Sequence, residues 1–272
     1  MLSRHIQTSV RFPTMKLNEF VQRIILRFGY VVFRAREGYH YVPTVYGRSA
    51  KKLRDIRAHS VFYRSAREVV EAKTTGHFYD RLYHLYQAVE NITRIRHGGE
   101  KIFILEAGVH KGGTSHFLAA LCRHYFSDGA AMYSVDTFTG HDARDLPHLR
   151  EGKRHVPGLF SDTSFESVRA YLSSFPFVEV LKGRIQDIAP RFFHTKFHLV
   201  HLDMDIEEPT KFALSFFGER MASGGIIIVD DYGFYETSPG VEKTVEEYCG
   251  SPAGKRIRRF NLMTGQCLLV FL

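Results

Sequence analysis

Five short apolar segments, separated by stretches with helical spacing, constrain the fold of this chain more than any other feature. The segments are apolar almost without interruption, which is typical of strands covered by helices on both faces of a parallel sheet. We therefore predict an α/β fold with a doubly wound, mainly parallel sheet. The predicted strands span 101–107, 131–136, 178–182, 197–203 and 225–230, and the predicted helices between them span 114–126, 163–174, 186–193 and 209–221. A helix near 241–248 and strands at 256–261 and 266–272 follow.

The first predicted strand ends in an acidic residue and a glycine-rich turn. Its pattern is Glu106-x-Gly108-x-x-x-Gly112-Gly113. A phosphate-binding loop is excluded because Lys111 precedes the last glycines, and the dinucleotide fingerprint G-x-G-x-x-G is absent. An acid at this point suits a ligand that carries a positive amine.

Polar residues follow the next two predicted strands. Asp136 ends the second strand, where an acid commonly accepts hydrogen bonds from ribose hydroxyls. Gln186 and Asp187 follow the third strand and are candidates to face an adenine edge. The alternative is that Asp187 only caps the short helix that begins there.

The fourth and fifth predicted strands end in paired acids. Asp203 and Asp205 follow the fourth, and Asp230 and Asp231 end the fifth. Parallel strands bring these ends to one edge of the sheet, where clustered carboxylates repel one another unless a cation neutralises them. We predict a Mg²⁺ site at Asp203, Asp230 and Asp231. The alternative is that Asp205 caps the next helix and that one member of the second pair is only solvated.

Basic residues are concentrated at the start of the chain. Residues 1–60 hold twelve Lys/Arg and three Asp/Glu, a net charge of +9, whereas the remainder is close to neutral. The apolar spacing over 17–28 predicts a basic amphipathic helix, which packs on its own protein or contacts an anionic membrane surface or a partner. We divide the chain into a basic extension at 1–76, a helix followed by an irregular arm over 29–76, and an α/β domain at 77–272.

Cysteine usage and hydropathy bear on the compartment. The three cysteines, at irregular spacing, do not describe a disulfide framework or a zinc site. No apolar run reaches the roughly 18 residues needed to span a bilayer. The expected location is the cytoplasm.

The ordered set of motifs resembles the class I S-adenosylmethionine-dependent methyltransferases with a Rossmann-like fold, and within them the macrocin O-methyltransferase family, which methylates sugar hydroxyls. Single motifs are modest in specificity, but together they cover about 105–270. They are EAGVHKGGTS, VDTF, FSDTSFESVRAYL, VLKGRIQD, LDMDIEEPTKFALSFF, ASGGIIIVDDYG, PGVEKTVEEY and TGQ. The segment VLKGRIQDIAP is also similar to catechol O-methyltransferases, so a catechol-type acceptor stays an alternative.

The resemblance implies roles for the matched positions. Glu106 and Gly108 would lie by the methionine part of the cofactor, Asp136 would hold the ribose, and Asp203 with its acidic neighbours would bind Mg²⁺ or another divalent cation. The cofactor-binding set is Glu106, Gly108, Gly112, Gly113, Thr114, Asp136, Thr137, Gln186 and Asp187. The chain departs from the family pattern at His110-Lys111, Arg184 and Ile206-Glu207, which leaves the acceptor unidentified.

Methyl transfer to a hydroxyl needs a general base. Asp203 and His141 are the candidates, and His155 is a third. The segment 139–162 holds three glycines and two prolines, is long for a connection, and is expected to close over the substrate.

Two other classes of function remain open. Asp203-Met204-Asp205 is a D-x-D pattern, which in glycosyltransferases holds a metal on a nucleotide-sugar. A non-catalytic module would bind a membrane or nucleic acid through the basic extension. The expected partner is a small-molecule or saccharide acceptor, with peripheral membrane contact and a homo-oligomer as further possibilities and nucleic acid not favoured.

Overall fold

The structure, a computed structural model, describes residues 59–77, 79–96, 98–146, 154–234 and 237–272, together with Phe28. The amphipathic helix predicted at 17–28 therefore lies outside the described residues, apart from its last position. Among the described residues, no helix is long and apolar enough to cross a membrane.

A seven-stranded sheet forms the centre of the described chain. Its strands are β1 (Ile102–Ala107), β2 (Ala130–Asp136), β3 (Val178–Lys182), β4 (Phe197–Leu202), β5 (Met221–Val229), β6 (Ile257–Asn261) and β7 (Cys267–Phe271). Their spatial order is β3-β2-β1-β4-β5-β7-β6. The first five strands pair in parallel, while β7 pairs antiparallel with both β5 and β6. The predicted doubly wound, mainly parallel sheet is confirmed.

Helices cover both faces of the sheet. They are α1 (Ser60–Glu71), α2 (Tyr79–Ile95), α3 (Gly113–Phe126), α4 (Phe165–Tyr171), α5 (Ile185–Ile188), α6 (Glu207–Gly218) and α7 (Pro239–Gly250). One apolar cluster joins α1–α4 to one face, and a second joins α5–α7 to the other. Successive strand residues serve opposite clusters, as Ile104 and Leu105 do in β1, which explains why these strands are apolar throughout.

The interpretation of 29–76 as an irregular arm was wrong for Ser60–Glu71, which is a helix. Its buried face carries Phe62, Ser65, Ala66 and Val69 at helical spacing, and this face packs into the first cluster. Its exposed face carries Arg64, Arg67, Glu68 and Glu71, so the helical periodicity is present in the sequence and was not recognised. The division of the chain at residue 76 stays a prediction.

Candidate active site

A cavity of about 260 Å³ opens at the carboxyl ends of the parallel strands. It lies where the strand order reverses on either side of β1, the position at which open α/β sheets bind ligands. Eight of the residues singled out in the sequence line it: Gly108, Thr114, Asp136, Thr137, His141, Asp203, Asp230 and Asp231. Five residues of the predicted cofactor-binding set do not line the cavity: Glu106, Gly112, Gly113, Gln186 and Asp187.

The glycine-rich turn brings β1 against the end of β4. Gly108 has a φ of +91°, and a Cβ there would overlap the carbonyl group of Asp203. Asp203 in turn donates its N–H to the carbonyl of Ala107 at 2.9 Å. Glycine at this position therefore lets two strand ends meet at the cavity without a side chain between them.

Asp136 fastens the same turn from the end of β2. Its Oδ2 accepts hydrogen bonds from the backbone N–H groups of Val109 and His110, both at 2.8 Å, and its Oδ1 accepts one from Phe138 at 2.6 Å. The carboxylate thus orders the floor of the cavity while still lining it.

Glu106 lies beneath the turn. Its carboxylate accepts a hydrogen bond from Ser115 and lies 3.2 Å from Nδ1 of His201, and the whole residue is buried. Ser115 is also 2.8 Å from the hydroxyl of Ser134. The Glu106 side chain projects from the face of the sheet toward α3 and supports the first turn of that helix, and its contact with a ligand stays a prediction.

Gln186 and Asp187, which follow β3, do not line the cavity as the sequence analysis predicted. Gln186 donates to Asp145 Oδ1 at 2.7 Å, and the Asp187 side chain is 56% exposed. Asp145 and Arg184 line the cavity instead and form a buried ion pair, with Arg184 Nη2 at 2.5 Å from Asp145 Oδ1. The unusual Arg184 thus has an acidic partner, which the sequence did not single out.

The predicted metal residues meet at the rim. β5 ends at Val229, so Asp230 and Asp231 both follow the strand. One oxygen from each of Asp203, Asp230 and Asp231 lies within 4.8 Å of the others. Burial and the neighbouring carboxylates raise the pKa of Asp203 and of Asp231 well above the usual range. A divalent cation fits this set because oxygen donors suit it and its charge relieves their repulsion.

Asp230 is neutralised by residues that the sequence analysis missed. Arg81 Nη2 lies 2.5 Å from its Oδ2, and Gln266 Nε2 donates to its Oδ1 at 2.6 Å. Burial raises the pKa of Asp230, but His77, His201 and Arg81 outweigh it and lower that pKa below the usual range. Arg81 is 149 residues from Asp230 in the chain, so no local pattern indicates the pair.

Two histidines lie beside the rim. His77 Nε2 is 3.4 Å from Asp203 Oδ2 and 3.4 Å from Asp230 Oδ1, and burial lowers the pKa of His77 to about 4. His201 is buried between Glu106 and Asp230. Although burial lowers its pKa, the two carboxylates raise it to about 10. His201 therefore serves as a buried counter-ion.

His141, the second candidate base, lines another part of the cavity wall. Its Nε2 is 3.0 Å from Nδ1 of His155, whose Nε2 is 2.8 Å from the carbonyl oxygen of Thr237. Burial, with His155 nearby, lowers the pKa of His141 to about 4. The histidine pair links the segment 139–162 to the residues after β5, and closure of that segment stays a prediction.

Residues 53–251 match the family model described as Macrocin-O-methyltransferase (TylF). This match spans well over half of the chain. The chain belongs to the macrocin O-methyltransferase family. The match begins ahead of α1, so the family region includes part of the predicted basic extension.

Two curated relatives of this macrocin O-methyltransferase family member are enzymes of natural-product pathways. One, from Streptomyces olivaceus, is 8-demethyl-8-(2,3-dimethoxy-alpha-L-rhamnosyl)-tetracenomycin-C 4'-O-methyltransferase, 28% identical over 47% of this chain and 52% of that protein. The other, from Micromonospora griseorubida, is mycinamicin III 3''-O-methyltransferase, 24% identical over 66% of this chain and 76% of that protein. The chain therefore spans about half the length of the first and three quarters of the second.

Solved methyltransferases share the fold. The O-methyltransferase NovP has a TM-score of 0.60 and 21% identity, covering 71% of this chain and 80% of that chain. A calicheamicin methyltransferase has a TM-score of 0.58 and 17% identity, covering 88% of this chain and 98% of that chain. The fold is that of the class I, Rossmann-like methyltransferases.

Lowering the pH from about 6.5 to about 4 should remove the stability that neutral His77 and His141 contribute, whereas the raised pKa values of Asp203 and Asp231 act in the opposite direction. His77 and His141 have pKa values near 4 in the folded chain, against 6.5 when unfolded, so the unfolded state takes up protons first. Their neutral forms leave stability intact above pH 6.5. The free energy of unfolding in urea at pH 7 and pH 5 measures this loss.

His141→Gln should reduce that pH dependence, and His194→Gln, at an exposed position, should leave it unchanged. If the free energy of unfolding depends equally on pH in the wild type and in His141→Gln, the lowered pKa of His141 in the folded chain is contradicted.

Proposed function

We propose that this protein transfers the methyl group of S-adenosylmethionine to a hydroxyl of a sugar in a natural product, with a divalent cation at the acidic rim. One observation carries the proposal. The cavity of a methyltransferase fold places the glycine-rich turn at Gly108 beside the carboxylates of Asp203 and Asp231. The activities in the names of the two curated relatives support a sugar acceptor.

The methyl donor occupies the part of the cavity formed by the turn after β1 and the end of β2. The backbone at Gly108 is open to close approach, and Asp136 receives the ribose hydroxyls on the side of its carboxylate that lines the cavity. Glu106 contributes indirectly, since it holds Ser115 and the start of α3. Asp145 and Arg184, rather than Gln186 and Asp187, border the far wall.

Asp203, Asp230 and Asp231 would hold the cation. When bound, a divalent cation lowers the pKa of a hydroxyl that approaches it, which makes a sugar hydroxyl a better nucleophile at neutral pH. Arg81 and Gln266 fix Asp230 in position whether or not a cation is present.

Asp203 accepts the proton of the acceptor hydroxyl. Its carboxylate lines the cavity beside Asp230 and Asp231, where an acceptor hydroxyl would approach the cation, so it lies within reach of the proton that must leave. As the O–H bond breaks, the oxygen takes the methyl group, and the sulfonium becomes the neutral thioether of S-adenosylhomocysteine. His141 is the second candidate for the base. The cavity walls align the reacting atoms, from which much of the rate arises.

Excess chelator is expected to lower turnover about a hundredfold or more, because a Lewis-acid cation contributes several kcal/mol to such a step. Added Mg²⁺ should restore it, and binding of S-adenosylhomocysteine should change little. Release of S-adenosylhomocysteine measures turnover on a panel of deoxysugar glycosides and catechols.

Asp231→Asn should remove the response to Mg²⁺, whereas Asp187→Asn, at an exposed carboxylate outside the cavity, should retain it. Full turnover in chelator would contradict the cation role. Methylation of catechols but not of glycosides would show that the acceptor is a catechol and not a sugar. Cleavage of nucleotide-sugars without methyl transfer would favour the glycosyltransferase indicated by the D-x-D pattern.

A further inference from the structure

The imidazole of His77 points into the acidic rim without a hydrogen-bond partner at its tip. The residue is 6% exposed, and its Nε2 makes no hydrogen bond with any described residue. A buried polar atom left in this way is destabilising. The atom faces Asp203 Oδ2 and Asp230 Oδ1, each at 3.4 Å. A bound group that contacts the imidazole nitrogen and both carboxylate oxygens at once would satisfy the unpartnered nitrogen.

The two separations from His77 Nε2 are close to those between neighbouring ligands of one cation. Adjacent ligands of an octahedral ion with bonds of about 2.1 Å lie about 3 Å apart. The 3.4 Å separations from His77 Nε2 are close to that value and have poor hydrogen-bond geometry. Asp203 belongs to two clusters of possible ligands, one with His77 and His201 and one with Asp230 and Asp231. An ion bound at Asp203 would therefore have nitrogen as well as oxygen donors beside it.

Hydrogen bonds join the segment that carries His77 to the first turn of α3. The backbone N–H of His77 donates to Oγ1 of Thr75 at 3.0 Å, and Thr75 Oγ1 lies 3.0 Å from Thr114 Oγ1 on α3. Gly113 donates its N–H to the carbonyl of Thr74 at 3.1 Å, and a Cβ at Gly113 would overlap that backbone. The segment before α2 is thus fastened to the glycine-rich turn.

His201, the neighbouring histidine, has other partners. Its Nδ1 is 3.2 Å from Glu106, and its Nε2, which like that of His77 makes no hydrogen bond with a described residue, is 3.6 Å from Asp230 Oδ1. Its imidazole therefore lies between two carboxylates. Its ring meets that of His77 edge to face, with centroids 5.6 Å apart. His201 supports the rim from below, and His77 supplies the nitrogen that faces Asp203.

We propose that His77 Nε2 is a ligand of the cation held by Asp203, Asp230 and Asp231. The donor set then mixes nitrogen with oxygen, and the site prefers Mn²⁺ or Co²⁺ over Mg²⁺ more strongly than three carboxylates alone would. This inference rests on the cation site of the proposed function.

Pulsed EPR of Mn²⁺ bound to the full chain tests the inference. The wild type should show coupling of the manganese to nitrogen, and the coupling should change to that of ¹⁵N when the histidines are labelled. His77→Gln should lose the coupling and weaken Mn²⁺ binding by at least the roughly 10–100-fold that residues merely supporting a ligand contribute. His77→Asn is the second variant if the first does not fold. The control is His116→Gln, a buried histidine with an unpartnered ring nitrogen outside the cavity.

The outcomes separate this inference from the proposed function. Loss of coupling in His77→Gln and its retention in His116→Gln support His77 as a ligand. Coupling that persists in His77→Gln, or is absent from a wild type that binds Mn²⁺ through Asp231, overturns the inference and leaves the cation site standing. A wild type that binds no Mn²⁺ overturns both.

Discussion

Replacing Asp203 with Asn is expected to lower kcat by about 10²–10⁴-fold, the range that general-base catalysis contributes. The amide keeps the shape of the side chain but cannot accept the proton of an acceptor hydroxyl. The backbone of Asp203, which packs against Gly108 and bonds to Ala107, is unaffected. Binding of S-adenosylhomocysteine, measured by calorimetry, should therefore remain within a few fold of the wild type.

The kcat of Asp203→Asn at increasing Mg²⁺ concentration separates a role of Asp203 as the base from a role as a cation ligand. If Asp203 only helps to hold the cation, a high Mg²⁺ concentration should restore the Asp203→Asn variant. If it is the base, saturating Mg²⁺ should leave kcat low. Asp205→Asn, a change in the same loop, should have a smaller effect. A large loss in His141→Gln together with a small one in Asp203→Asn would move the role of the base to His141.

Replacing Gly108 with Ala is expected to destabilise the fold by about 2–5 kcal/mol and to abolish binding of S-adenosylhomocysteine. The methyl group meets the backbone of Asp203, which cannot move without shifting the end of β4, and overpacking of this kind is destabilising by about 1–3 kcal/mol. The left-handed backbone at φ +91° adds about 1–2 kcal/mol. Urea unfolding and calorimetry with S-adenosylhomocysteine measure the two effects.

Two other glycines separate the contributions. Gly158 has a φ of +82° but open space where a Cβ would lie, so Gly158→Ala should be destabilising by only the backbone contribution of about 1–2 kcal/mol. Gly250 ends α7 with open space and an ordinary φ, so Gly250→Ala should be neutral or slightly stabilising. A Gly108→Ala variant as stable as Gly250→Ala would contradict the close approach of β1 and β4.

Local patterns predicted the elements that build the sheet. The apolar runs at 101–107 and 197–203 became β1 and β4 because strands buried on both faces need apolar residues at every position. Ser60–Glu71 was missed although its apolar and charged residues lie on opposite faces at helical spacing. The Tyr- and Arg-rich residues before it have no clear period, and the whole of 29–76 was interpreted as one segment.

The site residues at the ends of the strands were predicted from the sequence, whereas those from other parts of the chain were missed. Asp203, Asp230 and Asp231 could be grouped because parallel strands finish at one edge. Gln186 and Asp187 were assigned to the cavity because they follow a strand end and match a motif of the family. The structure turns Gln186 toward Asp145 and Asp187 toward solvent, since the ion pair of Asp145 and Arg184 takes that wall.

The sequence by itself determined the fold class, the edge of the sheet that holds the cavity and the acidic character of its rim, because strand periodicity and strand-end residues are local properties. Only the tertiary structure decided which side chains surround the carboxylate of Asp230. Arg81, Gln266 and His77 reach Asp230 from distant parts of the chain. Charge interactions depend on separation in space and on burial, neither of which can be read from spacing along the chain.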